Sequence, residues 1–445
     1  MHDIFSLASG AWRRLDAFRA ERARCKRYVY GEQWDDEIDT AYGRMTERQL
    51  IRRQGQEPLK NNILRRILRN VVGLYRAQYK APSLSAADCG LKGARLKEAN
   101  RRRRRWFHEN RMEELAPRLL EEFLISGLVA VRMEGGRILP VTPDNFFFHS
   151  DGYDPRGTDV DMIGEVHHVG FGTLLERFCE SPDDYRRLSE IYDARSRAAG
   201  TCRLTEAWSK EVRLFALLHD EDAATLRIIA VEDDGPGLKG GRARLMATTV
   251  WRCRWFAHDG TLLREGGAEE RHPYAMKAYP FIDGEVHSYI SDIIDQQRYV
   301  NRLITLYDFI MRSSAKGVLL FPEESIPHGM DLQEVADEWS RFNGVIPYRA
   351  RPGVPMPAQV SANSTNIGIT DLLKIEMQML EDISGVSPTL QGKLVANSTS
   401  GTLFAQQNEA AQTSLLDILR SFDDFLARLG LECCSPLESE KAFFH

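Results

Sequence analysis

Two segments of the sequence resemble loops that bind nucleotide phosphates. The string Gly-Pro-Gly-Leu-Lys-Gly at 235–240 fits the dinucleotide-binding pattern G-x-G-x-x-G, whose glycines bring the backbone close to a pyrophosphate at a helix N-terminus. The residues that follow predict a strand instead of a helix, which favours a hairpin loop. The Gly-Lys-Leu string at 392–394 lacks the Ser or Thr that would hold magnesium, and Ser387 occupies the place of the first required glycine. Neither segment predicts a nucleotide site.

Histidines and carboxylates do not form a pattern typical of metal centres. His167 and His168 are adjacent, and neighbouring side chains of a strand point to opposite faces, so the two cannot easily bind one metal ion. Four aspartates between 151 and 161 lie among glycines, but Gly152 and Tyr153 stand where a calcium loop would not accept them. We therefore predict no metal, no cofactor and no catalytic activity.

The charge of the chain is divided unevenly along its length. The 445 residues carry a net charge of −5, but residues 1–120 hold 27 Lys/Arg against 15 Asp/Glu, and the remainder holds 32 against 49. This length predicts about two to four structural units. No apolar run is long enough to cross a membrane and the start does not resemble a signal peptide. The seven scattered cysteines are expected to be thiols in a reducing compartment.

The basic N-terminal part contains two clusters of arginine. One lies on a predicted amphipathic helix, Asn61–Tyr79, whose apolar positions leave Arg65, Arg66 and Arg69 on other faces. The other is the run Arg101, Arg102, Arg103, Arg104 and Arg105, which cannot all lie on one helical face. The run can be solvated, form ion pairs between subunits, or contact phosphate.

The segment up to residue 285 combines helices and strands. A helix is predicted from about Glu113 to Ile125, and a hairpin at Val129–Met133 and Ile138–Val141. A loop (Pro143–Gly157), a strand (Ile163–Phe171) and a helix (Phe171–Ala194) follow. Three alternating runs, 202–218, 225–231 and 247–256, predict an antiparallel meander, so we expect an α+β fold.

The last third is predominantly helical. Long helices are predicted at Ser288–Ala315, Ile369–Ile383 and Ser400–Leu429, the second ending at Gly385 with Pro388 beyond it. Between the first two lies an insert with a strand at Val318–Phe321 and a short helix at Leu332–Trp339.

The order of these elements and several strings resemble the portal proteins of tailed bacteriophages and prophages. The strings are Pro-Leu-Lys-Asn-Asn (58–62), Val-Thr-Pro-Asp-Asn (141–145), Tyr-Pro-Phe-Ile-Asp-Gly-Glu-Val-His (279–287), Asp-Ile-Ile-Asp-Gln-Gln-Arg-Tyr-Val-Asn-Arg (292–302), Glu-Asp-Ile-Ser-Gly-Val-Ser-Pro (381–388) and Asn-Ser-Thr-Ser-Gly-Thr-Leu (397–403). The resemblance covers most of residues 30–430. It implies a ring of about twelve copies at one vertex of the capsid, through which double-stranded DNA is packaged and ejected.

The resemblance also assigns a role to each segment of the chain. The wing would be residues 1–285, with N-terminal helices and the β meander. The remaining parts would be stem helix 1 (286–315), the clip (316–366), stem helix 2 (367–386), the tunnel loop (387–399), a long wing helix (400–430) and a short or absent crown (431–445).

A channel that lets DNA slide should carry few fixed cations, because each neutralised phosphate strengthens binding through counterion release. Residues 387–402 contain one charged residue, Lys393. We therefore predict that the tunnel loop enters the channel and that Lys393 contributes one weak ring of positive charge; the alternative places Lys393 at a subunit seam. The channel-lining residues would be Leu390, Gln391, Gly392, Lys393, Leu394, Asn397 and Ser398.

Further residue sets follow from the resemblance. Opposite charges on neighbouring stems would pair between subunits, with candidates Arg298, Arg302, Arg312, Lys374, Glu376, Glu381 and Asp382. Clip residues that would dock other proteins are Glu323, Glu324, Trp339, Arg341, Tyr348 and Arg349. The basic wing would comprise the arginines of the two clusters described above.

The implied partners are other copies of the chain, duplex DNA without sequence specificity, the terminase large subunit, the head-tail adaptor, and major capsid and scaffolding proteins. No membrane is implied. The implied location is the virion, at the capsid portal vertex, after assembly in the cytoplasm of the host bacterium. Two other functions remain open on sequence grounds: a nuclease-like enzyme that holds phosphate with its basic region, and a cytosolic helical scaffold that binds a partner through residues 316–366.

Overall fold

The structure is a computed structural model. It describes residues 2–86, 90–150, 152, 154–192, 201–220, 225–230, 243–316, 318–340, 345–360, 368–386 and 415–429. The phosphate-loop-like strings at 235–240 and 392–394 and the predicted crown lie outside these residues.

Helices and strands both run through the described residues, which confirms the predicted α+β class. The helices are α1 (His2–Arg14), α2 (Asp16–Tyr30), α3 (Glu47–Arg53), α4 (Ile63–Gln78), α5 (Gly93–Glu109), α6 (Met112–Ser126), α7 (Phe171–Phe178), α8 (Pro182–Ile191), α9 (Ser291–Lys316), α10 (Leu332–Ser340), α11 (Ile369–Ser384) and α12 (415–429). The strands are β1 (Glu37–Thr40), β2 (Gly43–Thr46), β3 (Leu128–Glu134), β4 (Arg137–Val141), β5 (Phe146–Ser150), β6 (Val160–Val169), β7 (Cys202–Asp220), β8 (Thr225–Ala230), β9 (Ala243–Ala257), β10 (Leu262–Glu269), β11 (Tyr274–Ala278), β12 (Phe281–Ile282), β13 (Glu285–Val286), β14 (Val318–Leu320) and β15 (Ala358–Val360).

The chain forms two compact units. Unit 1 comprises residues Met1–Val29, Arg65–Asp292 and Gly385–His445, and unit 2 comprises Tyr30–Leu64 and Ile293–Ser384. Unit 2 therefore combines the predicted clip and most of the predicted stem helices with residues 30–64, which the resemblance assigned to the wing. The predicted segment boundaries stay predictions.

A six-stranded antiparallel sheet lies at the centre of unit 1. Its order is β10-β9-β7-β6-β5, and β8 pairs with the distal end of β7. The sheet is antiparallel, as predicted, but it is not a simple meander, because β9 pairs with β7 over Leu204–Leu218 instead of with β8. The long β7 thus holds the sheet together.

Strand β5 lies inside the predicted Pro143–Gly157 loop, so that part of the prediction was wrong. Phe146 packs against Tyr274, with ring centroids 5.7 Å apart, and Phe147 packs edge-on against Trp12 of α1. Both faces of the strand are covered, which explains a continuous aromatic run instead of an alternating pattern.

The predicted helix Phe171–Ala194 is two helices, α7 and α8. Ser181 caps α8: its Oγ accepts a hydrogen bond from the backbone N–H of Asp184 at 3.2 Å, and Pro182 occupies the first turn. Ser followed by Pro is a helix start signal, and the spacing of apolar residues alone does not reveal it.

Helix α12 is the described end of the predicted Ser400–Leu429 helix. Its apolar positions Leu415, Ile418, Phe422, Phe425 and Leu429 are buried, as predicted. Phe422 contacts the rings of Tyr75 and Phe123 at centroid distances of 5.4 and 5.8 Å. Burial of each such side chain contributes about 1.5–3 kcal/mol.

Polar contacts fix the position of α12 along unit 1. The Tyr75 hydroxyl donates to Asp423 at 2.8 Å, and Lys277 Nζ donates to Asp424 at 3.2 Å. Burial raises the pKa of Asp423, whereas the Tyr75 hydrogen bond lowers it, and the net shift is upward. The helix is therefore anchored by directional contacts as well as by its apolar face.

In unit 2, one face of α9 carries a ladder of buried polar side chains. Gln297 and Asn301 are fully buried, Thr305 is nearly so, and the spacing of four residues places them on one face. Asn301 Nδ2 donates to Gln33 Oε1 at 2.7 Å, and Gln297 Nε2 donates to Asn301 Oδ1 at 3.0 Å. Gln297 and Asn301 are thus hydrogen-bonded to each other, and Asn301 is also bonded to Gln33.

The ladder satisfies the backbone of residues 59–64, which have no strand partner. Gln297 Oε1 accepts from the N–H groups of Ile63 and Leu64 at 3.0 and 3.1 Å, and Gln297 Nε2 donates to Asn61 O at 2.7 Å. Asn301 accepts from the N–H of Asn61 and Thr305 from that of Leu59. Gln297 therefore supplies partners for the N–H groups that helix α4 leaves unpaired at its start.

We predict that Gln297→Ala lowers the free energy of unfolding by at least about 2 kcal/mol, because buried groups that lose their partners cost about 1–3 kcal/mol each. Thermal unfolding followed by circular dichroism measures the effect. Gln296→Ala is the matched control, since it makes the same change one position along the helix at a partly exposed site. Equal shifts for the two variants would contradict the role assigned to the ladder.

Candidate subunit interface and DNA-contacting residues

Helix α9 changes character along its length. Ile293, Ile294, Val300 and Leu303 in its first half are buried. Its outer and later positions leave large apolar side chains in solvent: Tyr299, Leu306, Tyr307, Phe309 and Met311. The first half of α9 thus packs within the chain, whereas Tyr307 and Met311, which belong to the predicted apolar positions of the second half, are exposed.

Helix α11 exposes a complete apolar stripe. Leu372, Ile375, Met379 and Ile383 are 39–56% exposed and recur at helical spacing, while Leu380 is buried. The clip residues Leu320, Val345, Tyr348, Met356 and Val360 are also exposed. A helical stripe of large exposed apolar side chains is typical of an interaction surface in soluble proteins. Unit 2 therefore presents the candidate subunit interface.

The charged residues predicted for the stem have partners within the chain. Arg298 and Arg302 both contact the carboxylate of Glu47, which is only 2% exposed. Arg302 keeps about half of its side chain exposed. Glu47 begins α3, so this contact ties α3 to α9 inside unit 2.

The other predicted stem charges are exposed or half-buried. Arg312 pairs with Asp308 at 2.8 Å and Lys374 with Asp371 at 3.2 Å, each within one turn of its own helix. Glu381 is half-buried and Asp382 exposed. Glu376 is also half-buried. Pairing of these residues between subunits stays a prediction.

The described part of the predicted clip is a small sheet with two short helical pieces. Strands β14 and β15 pair antiparallel, Val318 with Val360. Glu323 and Glu324 are exposed on a 3₁₀ turn, and the N–H of Arg349 donates to Ser325 O at 2.9 Å, which joins the Tyr348–Arg349 segment to that turn. Trp339 is half-buried at the end of α10. Arg341 lies outside the described residues.

The tunnel-loop residues 387–399 also lie outside the described residues. The role of Lys393 and its neighbours is therefore still a prediction from the sequence.

The arginines of the basic wing divide into two groups. Arg65 pairs with Glu121 at 2.7 Å, whereas Arg66 and Arg69 are exposed on α4. The run 101–105 lies within α5, where Arg103 alone is buried and the other four are exposed.

Arg103 is a structural residue that the sequence analysis did not separate from its neighbours. Its Nη2 donates to the carbonyl oxygens of Ala427 at 2.7 Å and Leu426 at 3.3 Å, near the end of α12. A cation here pairs with carbonyls that have no partner in the helix and with the negative end of its dipole. The buried spacing Ala99, Arg103, Phe107 was the available signal.

Unit 1 also contains a buried charge cluster around Glu206. The carboxylate accepts hydrogen bonds from Trp208 at 2.8 Å and from Arg132, and His167 Nε2 lies 3.0 Å away. Burial alone would raise the pKa of Glu206, but the His167 hydrogen bond and the Arg132 charge hold it below its ordinary value. The cluster joins β3 to the six-stranded sheet and so has a structural role.

Within the described ranges, no group of three His, Cys, Asp or Glu side chains is arranged to hold a metal ion. Within the same ranges, no helix is both long and apolar enough to cross a bilayer.

Comparison with protein families finds a match over almost the whole chain. Residues 7–435 match the family described as Phage P22-like portal protein. A search of curated proteins finds no match.

We predict that Glu47→Gln lowers the free energy of unfolding by about 1–3 kcal/mol, because Arg298 is left beside a neutral group in a largely buried site. Asp295→Asn is the control: its exposed carboxylate lies 3.7 Å from the same arginine, and such surface pairs contribute about 0–1 kcal/mol. Urea unfolding at low and high salt compares the two. A larger effect for Asp295→Asn would be inconsistent with the buried contact.

Proposed function

This chain belongs to the phage P22-like portal protein family, and on that basis we propose that it is the ring-forming channel through which double-stranded DNA is packaged and later ejected. The family is one of structural proteins at the capsid vertex, not of enzymes. The finer proposal comprises a ring of about twelve copies, assembled in the host cytoplasm and passing DNA without sequence specificity.

The exposed apolar surface of α9 and α11 is the observation that carries this proposal. A monomer would leave side chains such as Tyr307, Met311 and Ile375 in water. Burying apolar surface contributes about 25 cal/mol per Å². In a closed ring each copy contacts its two neighbours through two different faces. Both faces of every copy are therefore buried against a neighbour. We assign α9 and α11 to the stem on this basis.

Residues 316–366 form the clip in this proposal, as the part that docks the terminase large subunit and then the head-tail adaptor. Glu323, Glu324, Tyr348 and Arg349 are exposed there and mix charge with an aromatic ring. That composition suits a surface that exchanges partners, because its polar groups stay solvated when no partner is bound. Trp339 and Arg341 complete the proposed docking set. Unit 1 supplies the proposed wing, which would face capsid and scaffolding proteins.

The tunnel loop at 387–399 is the proposed channel constriction. Its single cation, Lys393, would contact phosphates weakly, and the polar Asn397 and Ser398 would exchange contacts with the moving duplex. Weak attraction is suited to sliding, since strong phosphate binding would hold the DNA in place.

We predict that Ile375→Asp combined with Met379→Asp converts rings into monomers, because two charges per subunit would enter the apolar contact. Negative-stain electron microscopy and sedimentation velocity measure the ring fraction at micromolar concentration. Gln378→Asp adds a charge at an exposed polar position of the same helix and is expected to leave rings intact. Wild-type protein that stays monomeric at low salt would count against the proposed function itself.

We predict that Lys393→Glu disturbs DNA packaging while ring assembly continues, since a ring of negative charge would repel the phosphates. Lys393→Ala should have a smaller effect in the same direction. The packaged genome length, measured by pulsed-field electrophoresis of DNA from particles, is the readout. Normal genome length with both variants would contradict the predicted position of Lys393 in the channel.

A further inference from the structure

The outer face of α5 is strongly basic. The helix holds seven Lys/Arg residues against two Glu residues over Gly93–Glu109. Lys97, Arg101, Arg104, Arg105 and His108 follow the spacing i, i+4, i+7, i+8, i+11 and are exposed. They form one cationic stripe, opposite the buried face that contains Arg103.

The fold does not need this stripe. Like charges three or four residues apart destabilise a helix by about 0.2–0.5 kcal/mol per pair. The nearby carboxylate of Glu98 lies 3.5 Å from Arg101 and 3.6 Å from Arg102, so one acidic group serves two arginines. A polyanion along the stripe would turn this repulsion into attraction.

The character of the surface favours a nucleic acid backbone over an acidic protein. Among the described residues of α4, α5 and α6, no large hydrophobic side chain is exposed. Protein interfaces have an apolar core, whereas DNA interfaces are polar and strongly positive. The stripe extends about 16 Å along the helix, which matches the rise of about five base pairs.

We propose that the α5 stripe binds the phosphate backbone of duplex DNA outside the channel, without sequence specificity. Arg101, Arg104 and Arg105 make the main contacts, and Lys97 and His108 extend them. This adds a second DNA surface to the proposed function and needs neither the tunnel loop nor passage through the ring. Arg103 is not part of it, because its guanidinium holds α12 inside unit 1.

The test uses full-length protein and a relaxed, covalently closed circular duplex, which cannot thread a preassembled ring. The triple variant Arg101→Gln, Arg104→Gln, Arg105→Gln is compared with the charge-matched control Arg13→Gln, Arg14→Gln, Arg186→Gln, whose positions are exposed on α1 and α8. Filter binding over a salt series measures affinity. Each lost phosphate contact reduces the slope of log affinity against log salt by about 0.9, so the triple variant should lose about three units.

The outcomes are distinct. A slope unchanged in the triple variant, or an equal loss in the control, would overturn the inference. Protein that binds polyglutamate but not the circular duplex would overturn the inference in favour of an acidic protein partner. Loss of rings in the triple variant would assign the stripe to a subunit contact instead. Electron microscopy of the same samples tests the proposed function separately. Rings without stripe-dependent binding refute only this inference, and binding without rings refutes only the proposed ring-forming channel.

Discussion

Unit 2 depends on the pairing of buried backbone groups by side chains. Residues 59–64 have no strand partner and become buried at Ile63 and Leu64, and a buried N–H or carbonyl without a hydrogen bond is strongly unfavourable. Gln297, Asn301 and Thr305 supply those bonds from one face of α9. Two strings that carry the family resemblance, 58–62 and 292–302, therefore meet in space. Their similarity to the family reflects a structural requirement of the fold and does not mark a chemical site.

The rest of unit 2 carries the proposed subunit interface. The polar ladder and the Glu47 contact fix α9 within the chain, while Tyr307 and Met311 of α9 and the apolar stripe of α11 are exposed. Rigid placement matters here, because an apolar face that moved with each copy could not match its neighbour around a closed ring. Helix α9 thus combines a buried polar ladder with exposed apolar residues in its second half, contrary to the usual distribution of side chains.

The sequence predicted those elements whose pattern is local. The apolar periods of α9 and α11 gave their bounds to within a few residues, and the apolar line of α12 was correct where it is described. Strand β5 was predicted to be a loop because both its faces are covered, so its aromatic run lacks the alternation of apolar and polar residues by which a strand is predicted. The partnership of Glu47 with Arg298 joins residues about 250 positions apart, and no local period records such a contact. For the same reason Arg103 could not be separated from its neighbours, since identical residues differ only in the face on which they lie.

The arginine run also makes the Arg103 contact of α5 tolerant of a one-residue shift in helical register. A one-residue insertion within the run would still leave an arginine four positions after Ala99, facing the carbonyls of Ala427 and Leu426. The displaced residue would be Phe107, which would rotate by about 100° away from the interior. Replication slippage that added one arginine would therefore keep the guanidinium contact with α12 and displace Phe107 from the buried face of α5, so packing limits the length of the tract although its composition protects the charge.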